Sequence, residues 1–230
     1  MGFNEKVQAY IAAKYYDYLT KRFGARGKRT FIHATQYYGE QRGRRMAQRA
    51  IRDGQELTLD TYLRYGEWVN TEEMKALGCA NNSEILSTFP DYIKRVTICP
   101  WSVQFAEMGL PDAGKVYCQH IDNAICRGFN PYIEYRVPQS LNWSSCCYHI
   151  VHDANLGQGP WKKIPEYLQG FDYHCGHFYW SFRETTSAIL GQEGTSIAEQ
   201  VLADFRADYG AEMAEKLASY QHTNFNVCDD

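Results

Sequence analysis

The stretch "FDYHCGHFYW" (Phe171–Trp180) places His174, Cys175 and His177 within four residues. Such side chains can ligate a metal, move protons or supply a thiolate. A helix turns by about 100° per residue, so Cys175 joins the apolar stripe of Phe171, Phe178 and Phe182 and points away from His174. The three therefore do not form one chelating unit. His174, His177 and Ser181 share the adjoining edge, where partial burial beside a cleft suits an imidazole to acid–base work. The plainer readings are core packing for Cys175 and two satisfied structural histidines.

A second group lies in "YCQHIDNAIC" (117–126). Cys118, Ile121, Asp122 and Ile125 fall on one helix face, which puts a carboxylate in an apolar stripe. A buried carboxylate requires a partner: a structural Arg, a helix N-terminus, a histidine or a cationic substrate. Cys118 sits one turn before Asp122 and looks into the same space. In "SSCCYHIVHD" (144–153), strand alternation sends Cys147 and His149 one way and Cys146 and His152 the other. That split argues against a Cys/His metal site, and no Cys-x-x-Cys pair, Gly-rich phosphate loop, nucleophile elbow or HExxH is present. The reading expects no metal and no cofactor.

The elements that must hold these residues come in three blocks. Val7, Ile11, Tyr15, Tyr18 and Leu19 recur at helical spacing until Gly24, and a second helix covers about Thr30 to Arg52, stopped by "DG". "TLDTYLRYGEWV" and "TEEMKALG" read as short helices. In the centre, "YIKRVTIC" is a strand ending at Pro100, "PDAGKVYCQHIDNAICRG" a helix, and "NPYIEYRV" and "SSCCYHIV" two further strands. The last third is helical again: one stripe runs from Phe171 to Ile189 and another from Ile197 to Leu217, with Thr195 or Ser196 as N-cap of the second. The expected fold class is α+β, mostly helical, with a small antiparallel sheet in the central part packed against helices. The reading takes residues 1–230 as one domain, 1–90 being helical and 91–230 carrying the sheet and the motifs.

With 230 residues, a net charge of −3 and 22% charged side chains, the chain has no nucleic-acid footprint. The basic runs "KRFGARGKR" (21–29) and "QRGRRMAQR" (41–49) read as solvated helix faces. The beginning lacks the apolar run of a secretory signal, and no stretch has the length of an apolar span. The expectation is a cytoplasmic protein, free of membrane and nucleic acid, whose eight cysteines are free thiols. Its partner is a small-molecule substrate, and a homo-oligomer is left open.

"CPW" (99–101), "YCQHID" (117–122), "GFNP" (128–131), "SL…CCYH" (140–149) and "YHCGHFYW" (173–180) occur in that order. This series resembles the L-2-amino-thiazoline-4-carboxylic acid hydrolase family, over roughly Tyr92 to Gly210. The resemblance implies a hydrolase that opens a cyclic amidine: water adds at the ring carbon between N and S, and the C–S bond breaks to give N-carbamoyl-L-cysteine. It implies Asp122 as holder of the amidinium, and either water activated by His174 or His177, or the thiolate of Cys118, as nucleophile. Trp101 and Asn130 line the pocket on this reading, or else pack and form a turn. Two alternatives stand beside it: a Cys-dependent amide or thioester hydrolase working through Cys118 or Cys175, and a binding module without turnover.

Overall fold

The computed structural model describes residues 2–228. Helix α1 (Glu5–Arg52) begins where the Asn4 side chain accepts the Val7 N–H at 3.1 Å. It is two helices in one: Gly24, at φ 52° and ψ −126°, breaks the helical path. The second half starts directly after that glycine, earlier than the Thr30 expected. Short helices α2 (Leu59–Arg64) and α3 (Glu72–Ala76) follow, capped by Thr58 and Thr71.

Four antiparallel strands come next: β1 (Asn82–Ser87), β2 (Tyr92–Ile98), β3 (Tyr135–Gln139) and β4 (Cys147–Val151), in the order β1-β2-β4-β3. Strand β1 lies in the part read as helical; its residues are mostly exposed, so no alternation of apolar and polar positions marks it. Between β2 and β3 run α4 (Pro100–Glu107) and α5 (Pro111–Phe129), each with proline in its first turn. The last third is α6 (Phe171–Leu190), α7 (Gln192–Tyr209) and α8 (Ala211–Ser219). The stripe read from Ile197 to Leu217 is thus broken at Gly210, where φ is 91°. Helix α7 starts at Gly191, where φ is 63°, and not at a Thr195 or Ser196 cap. Both departures have one cause: glycine adopts a backbone that ends a helix while the apolar spacing runs on across it.

The fold is α+β. Helix α1 packs on α4, α5, α6 and α7 around a core that includes Tyr15, Phe31, Phe178 and Phe182. Its closest crossing is with α5. A Cβ at Gly43 would meet the Ile125 carbonyl at 2.0 Å, and one at Gly128 would meet the Glu40 carbonyl at 2.3 Å. These contacts require glycine, and the close approach sets Arg42 of α1 opposite Asp122 of α5. The inner face of the sheet closes the other side: Tyr92, Lys94 and Val96 alternate on β2 and pair with Val151, His149 and Cys147 of β4.

Candidate functional site

Between α1, α5 and the sheet lie two adjoining cavities, of about 570 Å³ and about 130 Å³. Arg42, Trp68, Lys94, Asp122 and Ile125 line both, so the two share a wall of charge. The larger also has Tyr62, Tyr92, Tyr135, Trp161 and Lys163 on its walls. The smaller has Trp101, Cys118, Cys99, Cys147 and His149. Each element contributes by simple periodicity: Cys118, Asp122 and Ile125 stand at i, i+4 and i+7 of α5, and Lys94 stands on the inward register of β2.

Asp122, Lys94 and Lys163 on these walls are half-buried, whereas Arg42 and His149 are buried. Burial pushes the Asp122 carboxyl above its ordinary range, opposed by Lys94 and Arg42. Burial lowers Lys94, opposed by Asp122. Lys163 is brought down to about 7 by burial, with Arg42 and Lys94 adding to the fall. Among the described residues, the side chains of Asp122, Lys94 and Lys163 have no hydrogen bond or ion pair; Lys163 rests its ammonium 5.4 Å over the Trp68 ring. Charges kept away from water without protein partners carry an unfavourable desolvation cost and are what a charged ligand would offset.

A second charged cluster is built differently. Glu67 is fully buried and meets Arg45 twice (Nε–Oε1 3.1 Å, Nη2–Oε2 2.8 Å), Arg49 at 2.6 Å and Arg42 at 3.5 Å. Burial would raise this carboxyl, but Arg45 and Arg42 outweigh it and hold it at about 2. The run "QRGRRMAQR" is therefore not a solvated face: Arg42, Arg45 and Arg49 turn inward onto one carboxylate, at 7%, 0% and 1% exposure.

His174 and His177 belong to this cluster. They are 1% and 0% exposed, where the helical wheel predicts partial exposure, and neither lines the two cavities. His174 donates from Nε2 to the Glu67 carbonyl at 3.1 Å, leaving Nδ1 buried without a partner. In His177, Nδ1 accepts from Arg45 Nη2 at 3.3 Å and Nε2 donates to Gln41 Oε1 at 3.1 Å, with Phe225 stacked on the ring. Burial, then Arg42, holds His174 at about 3, and burial with Arg45 holds His177 well below its ordinary value. Both are neutral at physiological pH. The wheel places them on one edge; α1 and the 223–228 segment cover that edge.

The other predicted residues divide in the same way. Cys175 is fully buried in the core, and burial drives its thiol far up. Cys118 is on the smaller cavity, where Asn142 Nδ2 donates to its sulfur at 3.2 Å. Burial first, then Cys99 and Asp122, raise its thiol well above the usual range. Trp101 lines the same cavity, donates to Gln8 Oε1 at 3.0 Å and meets Trp68 edge-on. Asn130 caps α5 and ties a turn, donating to the Leu57 carbonyl at 2.7 Å and accepting the Tyr132 N–H. It lines neither cavity. Sequence reasoning passed over Arg42, Glu67, Lys94 and Lys163. A lysine on the inward register of a strand with buried neighbours was the one signal available, at Lys94. Among the described residues no group of three or more His, Cys, Asp or Glu is arranged to hold a metal, and no helix is long and apolar enough to cross a membrane.

An α+β fold with a charged cavity at a helix–helix–sheet junction is the class that this geometry defines. The family model of L-2-amino-thiazoline-4-carboxylic acid hydrolase matches residues 4–144, and the chain belongs to that family. The match begins at Asn4, the N-cap of α1, and stops before β4. It thus takes in the N-terminal helices that the motif series left out, and excludes "CCYH" and "YHCGHFYW". Arg42, Glu67, Lys94, Cys118 and Asp122 fall inside it. No curated protein and no solved structure matches the chain.

Proposed function

We propose that the protein hydrolyses a small cyclic amidine carrying a carboxylate, of the 2-amino-thiazoline-4-carboxylate type, in the cavity lined by Arg42, Lys94 and Asp122. The observation that carries this reading is the pair of Asp122 and Lys94 on the cavity wall, whose side chains have no hydrogen bond or ion pair among the described residues. Their signs suit such a ligand. A carboxylate at Asp122 complements the amidinium, and the cations of Arg42 and Lys94 complement the substrate carboxylate. Asp122 holds the ring protonated and so makes the carbon between N and S electrophilic. Water adds there, and the C–S bond opens. Low local dielectric strengthens each of these contacts in the transition state.

The thiolate route has weaker support. Cys118 is near Asp122, but the burial and neighbouring carboxylate that raise its pKa keep it a protonated thiol. Direct attack by water is the reading the electrostatics favour. Turnover of 2-amino-thiazoline-4-carboxylate beside that of 2-aminothiazoline tests the whole proposal. The carboxylate-bearing ring should be opened with the far higher kcat/KM. Equal rates on both rings would remove Arg42 and Lys94 from substrate binding, and no opening of either would end the proposal.

A further inference from the structure

Resting on that reading, we propose that Lys163 is the base that takes the proton from the attacking water. The segment after β4 brings this residue onto the larger cavity, on the wall it shares with Arg42, Lys94 and Asp122. The geometry around it is specific. Its ammonium lies over the Trp68 ring at 5.4 Å and against the backbone of Gly66, where a Cβ would come within 2.5 Å of Nζ. On the same cavity stand Arg42 from α1, Tyr62 from α2, Tyr92 and Lys94 from β2, Asp122 from α5 and Tyr135 from β3, and the Arg42, Lys94 and Glu67 charges act on the amine. Glu67 is the one carboxylate that favours its charged form, and that carboxylate is engaged by three arginines. Two cations and burial oppose the charge, so the amine is half neutral at about pH 7. A neutral amine in a substrate cavity is a competent general base. Asp122 is left to hold the amidinium.

The step balances without any further reagent. Water oxygen bonds to the amidinium carbon as one of its protons passes to Lys163 Nζ, and the C=N electron pair moves onto nitrogen. The tetrahedral adduct then collapses: the C–S bond breaks with both electrons on sulfur, and the second water proton moves from the new carbonyl oxygen to that sulfur. The products are a neutral urea and a thiol. Lys163 ends as ammonium and returns its proton to solvent.

Three readouts on the full-length protein test this. With 2-amino-thiazoline-4-carboxylate, wild-type kcat should rise with pH through about 7 and level off above it. Lys163→Met should lower kcat by about 10²–10⁴ and abolish that rise. The same variant should melt higher at neutral pH. The folded state holds the amine at about 7 against an ordinary 10.5, so the lysine is destabilising at pH 7 and below, and that cost is relieved as pH rises from about 7 to 10.5, where the unfolded chain binds more protons. A higher melting temperature with lower kcat removes misfolding as the explanation. Independently of turnover, NMR titration of ¹³C-methylated protein should give a midpoint near neutrality for the amine at 163. A midpoint in the ordinary lysine range overturns the base, and so does Lys163→Met turnover within several-fold of the parent. A wild-type protein that opens no ring at any pH overturns the ring-opening reading, and the base with it.

Discussion

Two charged regions lie side by side in this fold and share Arg42. Around Glu67, a fully buried carboxylate meets three arginines and every short contact is between protein groups. Around Asp122, a carboxylate and two lysines face the cavity, and among the described residues their side chains have no hydrogen bond or ion pair. Burial acts on both, yet the Glu67 carboxyl is driven down and the Asp122 carboxyl up. Paired charges fix a structure; unpaired charges around a cavity need a ligand. The contrast also reassigns the histidines. His174 and His177, which look like catalytic groups in the sequence, extend the paired region.

The strongest way to break the contrast is at Glu67. Glu67→Gln leaves Arg45 buried without its counter-charge and should cost about 3–5 kcal/mol of stability in denaturant unfolding. The same pairing predicts the acid limb. A folded value of about 2 against an ordinary 4.5 gives stability that is fully present above 4.5 and lost as pH falls through 2. A Glu67→Gln protein with parental stability would contradict the structural assignment.

Asp122→Asn should do the opposite. Turnover should fall by about 10²–10³, as for loss of one preorganised electrostatic group, while the melting temperature holds or rises because no protein partner is orphaned. Kinetics and a melting curve on the same preparation check both halves. A smaller effect is expected at His177. His177→Gln strips the Arg45 contact and the Phe225 stacking and should cost about 1–3 kcal/mol, with turnover within a few-fold of the parent. A catalytic imidazole would instead lose about 10²–10⁴ in rate with stability intact. Smallest of all should be Cys118→Ser, with turnover within a few-fold and no adduct by mass spectrometry in the parent under single-turnover conditions.

Much of the fold was legible because apolar spacing is written in consecutive residues. The α5 stripe, the end of β2 before Pro100 and the inward pair Cys147 and His149 all follow from period and proline chemistry. Strand β1 was not legible, since an exposed edge strand carries no alternation. Half of the candidate site was visible: Asp122 and Cys118 announce themselves as polar groups on an apolar helix face. The other half depends on partners distant in sequence. Nothing near Arg42, Arg45 and Arg49 says that Glu67 will gather all three while Arg42 also lines a cavity. Nothing in "FDYHCGHFYW" says that α1 will cover the histidine edge. Lys163 stands in an irregular segment with no period to place it.

The location of the site is the central claim, and a crystal structure of the protein soaked with N-carbamoyl-L-cysteine tests it most directly. Product density should lie in the shared wall of the two cavities, its carboxylate on Arg42 and Lys94 and its carbamoyl group on Asp122. Density against His174 and His177, or a cavity still holding only water at saturating product, would contradict it.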